Sequence, residues 1–315
     1  MTISSFFKLV ELPTKVASVF PFLIGSTFAV YRYGQLNIQH LMIMLVAMLC
    51  LDMATTALNN FMDYKLAIKT HGFNYEQHNA IVKYNIKEST VKRTIALLMS
   101  VTIGLGLYLV SRTDIIVLLL GMISFFFALI YTWGPFPISR TPLGELVSGG
   151  IMGGFITFIS LYIHIYDLKI IQLVFDRNMF YISINFIEVI VIALLTLPLI
   201  AGIANIMLAN NTCDMEDDFE NKRFTLPLVI GKENALRLFS LLYGSGYLAI
   251  LLGVILNWLP LTCLLVLITI VPVRKNVLLF NERQTKKDTF IISVKNFVMI
   301  SLVYFLSLLI GVLLK

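Results

Sequence analysis

The sequence predicts an all-α integral membrane protein, a bundle of about nine transmembrane helices with its N-terminus cytoplasmic and its C-terminus outside. Three observations predict it. Hydrophobic residues make up 58% of the 315 positions and charged residues only 13%, far above and far below the shares of a soluble domain. Apolar runs of roughly 17 to 25 residues, long enough to cross about 30 Å of hydrocarbon as helix, recur along the whole chain. Counted over alternate connections, 19 of the 24 Lys and Arg residues fall on one side and 5 on the other, and positive residues near span ends mark the cytoplasmic face. The net charge of +6 follows from that asymmetry and from attraction to anionic headgroups, so no nucleic-acid partner is needed to account for it.

The first run lies near 16–31. Glu11, Pro13 and Lys15 precede it and no small-residue cleavage site follows a short apolar core, so it is expected to be retained rather than removed as a signal. The second, near 39–58, is apolar except for Asp52. The third and fourth, near 94–110 and 114–132, are joined by a short turn, and the fourth stops at the Pro-rich stretch 131–137. The fifth, near 145–165, contains Gly149, Gly150, Gly153 and Gly154, a small-residue spacing that favours close helix packing. The sixth lies near 184–205, the seventh near 235–256, the eighth and shortest near 258–273, and the ninth near 291–314. Residues 1–315 are expected to form a single domain. Cys50, Cys213 and Cys263 lie in or near different spans without metal-ligand spacing, which suggests neither disulfides nor zinc.

Polar residues concentrate in two long connections on the same face, 59–93 and 206–234. Each opens with Asn-Asn-x-x-Asp, at Asn59 to Asp63 and at Asn210 to Asp214, a weak internal repeat that hints at two related halves. Residues three and four apart share a helix face. Asn211, Asp214 and Asp218 are spaced in this way, with Lys222 a turn further, and so are Asp52, Thr56, Asn59 and Asp63. An ionised Asp52 facing lipid would cost about 2.5 to 3.5 kcal/mol, which argues that it turns inward. A charged loop after a span is ordinarily just solvated, but solvation does not require two such segments in matching helical register.

Five carboxylates crowd the stretch Asp214 to Glu220, with Lys222 and Arg223 directly after. Such a cluster suits Mg²⁺, a hard cation that takes carboxylate oxygens and often shares its shell with substrate phosphates. Carboxylates alone would repel a diphosphate by several kcal/mol at an effective dielectric near 20; a dication between them reverses the sign, and Lys222 and Arg223 can contact the remaining phosphate oxygens. A metal-bridged diphosphate at the mouth of an apolar helical bundle matches a polyprenyl diphosphate, its head at the metal and its tail among helices or membrane lipid.

At these residues the chain resembles the UbiA-type intramembrane aromatic prenyltransferases, those related to 4-hydroxybenzoate polyprenyltransferase, and most of all their naphthoate branch. The likeness is carried by LVELPTKVASVFPFLIG at 9–25, the first Asn and Asp motif, AIVKYNIKESTV at 80–91, YTWGPFPISRTPLGELVSG at 131–149 and NNTCDMEDDFENKRFTLPLVIGKENA at 210–235. It implies a nine-helix bundle around a central cavity, two Asp-rich motifs holding Mg²⁺ and diphosphate, and transfer of the prenyl chain to 1,4-dihydroxy-2-naphthoate with loss of its carboxylate, giving demethylmenaquinol for menaquinone biosynthesis. The protein is then expected in the plasma membrane with its active site toward the cytoplasm. Carried over by position, Asn59 and Asp63 match the first motif, Asn211, Asp214 and Asp218 the second, and Lys222 and Arg223 its basic pair. The metal would fall to Asp63, Asp214 and Asp218. The first motif departs from the family, with Asn60 where an acidic residue is common and the region 67–69 where another follows, so Asp52 is a candidate for the missing charge.

Several residues admit two readings. Lys15 either reaches a phosphate or marks topology. Arg140 is a partner for the acceptor's carboxylate or a positive-inside anchor, and Tyr131 lies beside the family's cavity or in a simple helix stop. Glu145 is a helix cap or part of the site; His71 and His78 are read as solvated loop residues. Two rival functions remain: the same chemistry on 4-hydroxybenzoate or another aromatic acceptor, and a secondary transporter, which internal repeats and intramembrane charge also mark.

Overall fold

Residues 1–68, 70–71, 75–76, 79–176 and 179–315 are described by a computed structural model; Lys69, His78 and Arg177 lie outside the described residues. Among the described residues nine helices are long and apolar enough to cross a membrane. They are α1 (Leu12–Tyr33), α2 (Ile38–Leu66), α3 (Glu88–Arg112), α4 (Ile115–Thr132), α5 (Gly144–Leu168), α6 (Phe186–Cys213), α7 (Lys232–Ile255), α8 (Leu261–Glu282) and α9 (Phe290–Leu313). Each lies on one of the nine apolar runs, so the membrane-bundle expectation holds.

Two helices overrun their apolar stretches in a way that builds the site. The runs end near 58 and 205, yet α2 continues through 59–66 and α6 through 206–213. Neither extension contains Gly or Pro, so nothing interrupts the backbone ladder, and at 1.5 Å per residue each adds about 12 Å of helix. The first motif and the Asn pair of the second therefore ride on helix ends. At their other ends the helices are capped by Asn37, which accepts the His40 N–H, and by Asn185, which accepts the Glu188 N–H.

Helix α6 is the hub, packing against α5, α7 and α9, while α1 packs on α5 and α9 and α2 on α3 and α4. The glycine run on α5 explains part of this. A Cβ on Gly153 would lie 2.5 Å from the Ile200 backbone nitrogen and one on Gly149 2.6 Å from the Ile200 carbonyl oxygen, so α5 and α6 touch backbone to backbone. Gly150 faces open space and Gly154 meets only the Ile200 side chain. Over Gly149–Phe155 the helix widens into π-helical turns. A second core between α2, α3 and the N-terminal helix Ile3–Leu9 gathers Leu9, Val10, Ala54, Ala57 and Val91.

The connection between α5 and α6 adds a small element to the all-α bundle. It holds an antiparallel hairpin, β1 (Ile171–Asp176) and β2 (Met179–Ile184), with Ile171 opposite Ile184 and Asp176 opposite Met179. The segments IQLVFD and MFYISI are dense in β-branched and aromatic residues, which suit paired strands and are too short to span a bilayer. Since β2 leads into the start of α6, the hairpin lies at the end of the bundle opposite the polar motifs. There Arg32 donates to both Glu188 carboxylate oxygens at 2.9 and 2.7 Å, clamping α1 to α6.

Candidate active site

Asp63 occupies the last turn of α2. Asp214 follows α6, and Asp218 lies in the short helix Met215–Glu220 that comes next. The chain then reverses at Lys222, which takes a left-handed φ of 53° and leaves its side chain exposed. This turn returns Arg223 toward α2, where its guanidinium donates to Asp63 Oδ1. Arg140 stands 3.8 Å from the same oxygen. Backbone bonds fix the reversal: Arg223 N–H donates to the Asp218 carbonyl at 2.8 Å, and Phe224 N–H to the Arg140 carbonyl at 3.0 Å. The two motifs, remote in sequence, thus meet through one guanidinium.

The second motif is held from three further sides. Lys286, in the connection between α8 and α9, donates to Asp214 Oδ2 at 2.5 Å and to Asn210 Oδ1. Thr225 Oγ1 donates to Asp218 Oδ2 at 3.1 Å. Buried Asn211 donates through Nδ2 to Glu145 Oε1 at 2.9 Å, tying α6 to the first turn of α5. Asn59 is half-buried, one turn before Asp63.

Burial makes the charges costly. Asp218 is 6% exposed; desolvation, reinforced by Asp214, pushes its carboxyl up to about 6 against the opposing pull of Arg223 and Lys286. Arg140 is shifted down by burial and then by Arg223 beside it, with Asp63 and Asp218 working the other way. Among the described residues, Arg223 Nε and Glu145 Oε2 are buried beside the acidic motifs without a protein partner, and an unmet buried group costs about 1–3 kcal/mol. One asks for an anion and the other for a hydrogen-bond donor.

The carboxylate oxygens of Asp63, Asp214 and Asp218 suit Mg²⁺ chemically, and a dication would offset the desolvation that holds Asp218 near 6. Among the described residues no three His, Cys, Asp or Glu side chains group closely enough to hold a metal themselves. A dication here would need substrate oxygens to complete its shell, which Mg²⁺ commonly accepts. Below the mouth, between α2, α4 and α5, lies a largely apolar cavity of about 770 Å³, opening included. Tyr131, Asp52, Thr55, Met48, Phe127 and Met152 are among its lining residues.

The family model for UbiA prenyltransferases matches residues 18–311. The chain belongs to the UbiA prenyltransferase family. It is 26% identical over 241 residues to 1,4-dihydroxy-2-naphthoate octaprenyltransferase of Bacillus subtilis (strain 168), a match covering 76% of this chain and 70% of that protein. Its fold is similar to that of a UbiA homologue from Aeropyrum pernix K1, at TM-score 0.66 and 16% identity over 94% of this chain and 97% of that one. A UbiA homologue from Archaeoglobus fulgidus, solved with DMAPP and Mg²⁺, superposes at TM-score 0.64 and 10% identity over 99% of this chain and 100% of that one.

In this UbiA-family membrane protein Lys15 and Asp52 are found holding each other. Lys15 Nζ donates to Asp52 Oδ1 at 2.6 Å, to Thr56 Oγ1 at 2.7 Å and to the Asp52 carbonyl at 3.2 Å. Ser18 donates to Asp52 Oδ2 at 2.6 Å. All three ammonium protons and both carboxylate oxygens are engaged, and the step from Asp52 to Asp63 along α2 is about 16 Å. Shared helix face does not place them at one depth. Asp52→Asn, which leaves a buried lysine without its counter-charge, is expected to cost about 3–5 kcal/mol. A thermal melt in detergent should show that loss while the Mg²⁺ concentration for half-maximal turnover stays unchanged; a shifted Mg²⁺ requirement would assign Asp52 to the metal.

Asn60, standing where the family often has an acidic residue, is buried and donates to the Leu9 carbonyl at 3.0 Å and Glu11 Oε1 at 3.2 Å. It fastens the N-terminal segment. His71 is exposed. Lys286 is the residue that sequence reasoning missed: within a basic connection it carried no signal beyond its charge, and only the fold brings it to Asp214.

Proposed function

We propose that this UbiA-family protein transfers the prenyl group of a polyprenyl diphosphate to 1,4-dihydroxy-2-naphthoate with decarboxylation, giving demethylmenaquinol, in a Mg²⁺-dependent reaction. The observation that carries it is the contact of Arg223 with Asp63, which closes the two acidic motifs over the mouth of an apolar cavity. Asp63, Asp214 and Asp218 would hold the metal, with Asn59 and Asn211 beside them. A dication held by these residues would supply positive charge to stabilise the departing diphosphate.

The chain's own residues bind and orient. Arg223, through its unpaired Nε, together with Lys222 and Lys286 offers cations to the phosphate oxygens. Arg140 is assigned to the acceptor's carboxylate, and Tyr131 to the cavity wall against which the ring rests. Lys15 is a reserve phosphate ligand only if its bond to Asp52 opens. The allylic carbon–oxygen bond breaks and its electron pair leaves with diphosphate; the ring carbon that bears the carboxylate bonds the prenyl carbon, and its bond to the carboxylate then breaks, releasing CO₂ and returning the electron pair to the aromatic ring. A prenyl tail is accommodated by the apolar lining and by lipid.

The naphthoate assignment is supported by the Bacillus subtilis relative and by the Tyr131 to Ile138 and Thr141 to Glu145 motifs. Mg²⁺ and prenyl diphosphate are supported by the homologues solved with DMAPP or GPP and Mg²⁺. The 19 to 5 division of basic residues supports a mouth facing the cytoplasm in the plasma membrane. Purified protein given labelled polyprenyl diphosphate, Mg²⁺ and either 1,4-dihydroxy-2-naphthoate or 4-hydroxybenzoate should form labelled product with the naphthoate, and chelator should stop it. Product from the benzoate alone would move the protein to another acceptor, and no product with either would remove the proposal.

A further inference from the structure

We propose that Glu145 is a positioning residue for the aromatic acceptor, its buried carboxylate accepting the hydrogen bond of a ring hydroxyl and so selecting a hydroxylated ring and fixing its orientation. This rests on the acceptor class assigned above. Glu145 is 4% exposed. One oxygen, Oε1, is held by Asn211 at 2.9 Å, while Oε2 is buried with no protein partner. Its partner Asn211 belongs to the second motif, and Val147, two residues on, lines the cavity. Ser148, one turn on and lining the cavity, turns its hydroxyl back to the Glu145 carbonyl at 3.1 Å.

Chemistry narrows what Oε2 can meet. An ionised carboxylate accepts hydrogen bonds or takes a cation, so in a site whose metal is assigned to Asp63, Asp214 and Asp218 its partner is an N–H or O–H. A prenyl chain has neither, and a diphosphate is an anion that the carboxylate repels. The hydroxyl of a phenolic acceptor is the donor the proposed reaction supplies. A purely structural Glu145 would need only the oxygen that Asn211 holds.

Glu145→Gln separates the two roles, because the amide keeps an oxygen for Asn211 and places a donor where Oε2 was. With wild-type holoprotein and this variant at saturating Mg²⁺, kcat/KM for the hydroxylated acceptor is expected to fall about 30-fold, the range of one hydrogen bond to a charged group. KM for prenyl diphosphate should stay within about twofold, and Glu145→Asp should recover part of the loss. Of the two mono-methyl ethers of the acceptor, the one that blocks the bonding hydroxyl should be poor for wild type and no poorer for Glu145→Gln. Equal loss toward both substrates, or undiminished acceptor kinetics, would overturn the proposal, as would failure of both variants to fold. Should wild type prenylate only a different phenol, the naphthoate assignment falls, and the same comparison on that phenol still decides Glu145.

Discussion

Asp218→Asn is expected to lower turnover by about a thousandfold while leaving the membrane protein folded, and in the absence of Mg²⁺ slightly more stable than wild type. Asparagine has nearly the same shape and can keep the hydrogen bond from Thr225, but it removes the charge that a dication and a departing diphosphate require; losing one element of electrostatic stabilisation typically costs a hundredfold to about a thousandfold. The stability sign follows from the raised carboxyl. Burial pushes Asp218 up to about 6 from an ordinary value of 3.8, so the folded state favours the protonated form. Its contribution is fully present below the unfolded value and is lost as pH rises through 6. At pH 7 the ionised side chain is therefore a net burden of about 1–3 kcal/mol, which the neutral amide relieves. Turnover measured beside melting in chelator checks both halves. Activity within tenfold of wild type would detach Asp218 from catalysis, and an unfolded variant would make it structural.

How much of this was legible depends on what hydropathy measures. It reports which residues lie in hydrocarbon, and all nine spans follow from it; it does not report where a helix ends. The overruns 59–66 and 206–213 carry the Asn pairs that open the two polar connections, so they read as connections although their backbones continue the helix. Asp214 and Asp218 can be grouped from the sequence because they lie about one helical turn apart. Cross-helix partners cannot. Asp52 was correctly expected to turn inward, but its partner is Lys15 on α1, and no spacing within α2 could have revealed that. Asn60 and Asn211 are equivalent in the repeat, yet one fastens the N-terminus and the other holds Glu145. The hairpin of 171–184 leaves no hydropathy signal because its strands are only six residues each, far shorter than a span.

Gly153→Ala is expected to cost more than its single methyl suggests, and to reach the active site without touching it. Its Cβ would lie 2.5 Å from the Ile200 nitrogen and 2.7 Å from the Ile200 Cα; backbone atoms cannot swing aside as a flexible side chain would, so α5 and α6 must move apart. Overpacking of this kind costs about 1–3 kcal/mol, occasionally more. Because α6 carries Asn211 about three turns beyond this contact and α5 carries Glu145 in its first turn, parting the helices loosens the Asn211–Glu145 bond and shifts Asp214 relative to Asp63. Gly150→Ala is the matched control: nothing lies within 4 Å of its Cβ, so the same methyl at the neighbouring position should be neutral or gain up to about 1 kcal/mol in helix propensity. Size-exclusion profiles of detergent extracts, melting temperature and turnover should separate the pair, with Gly153→Ala losing all three. Indistinguishable variants would mean that α5 and α6 are not in backbone contact at Ile200, and the rigid coupling of the two motifs through α6 would have to be abandoned.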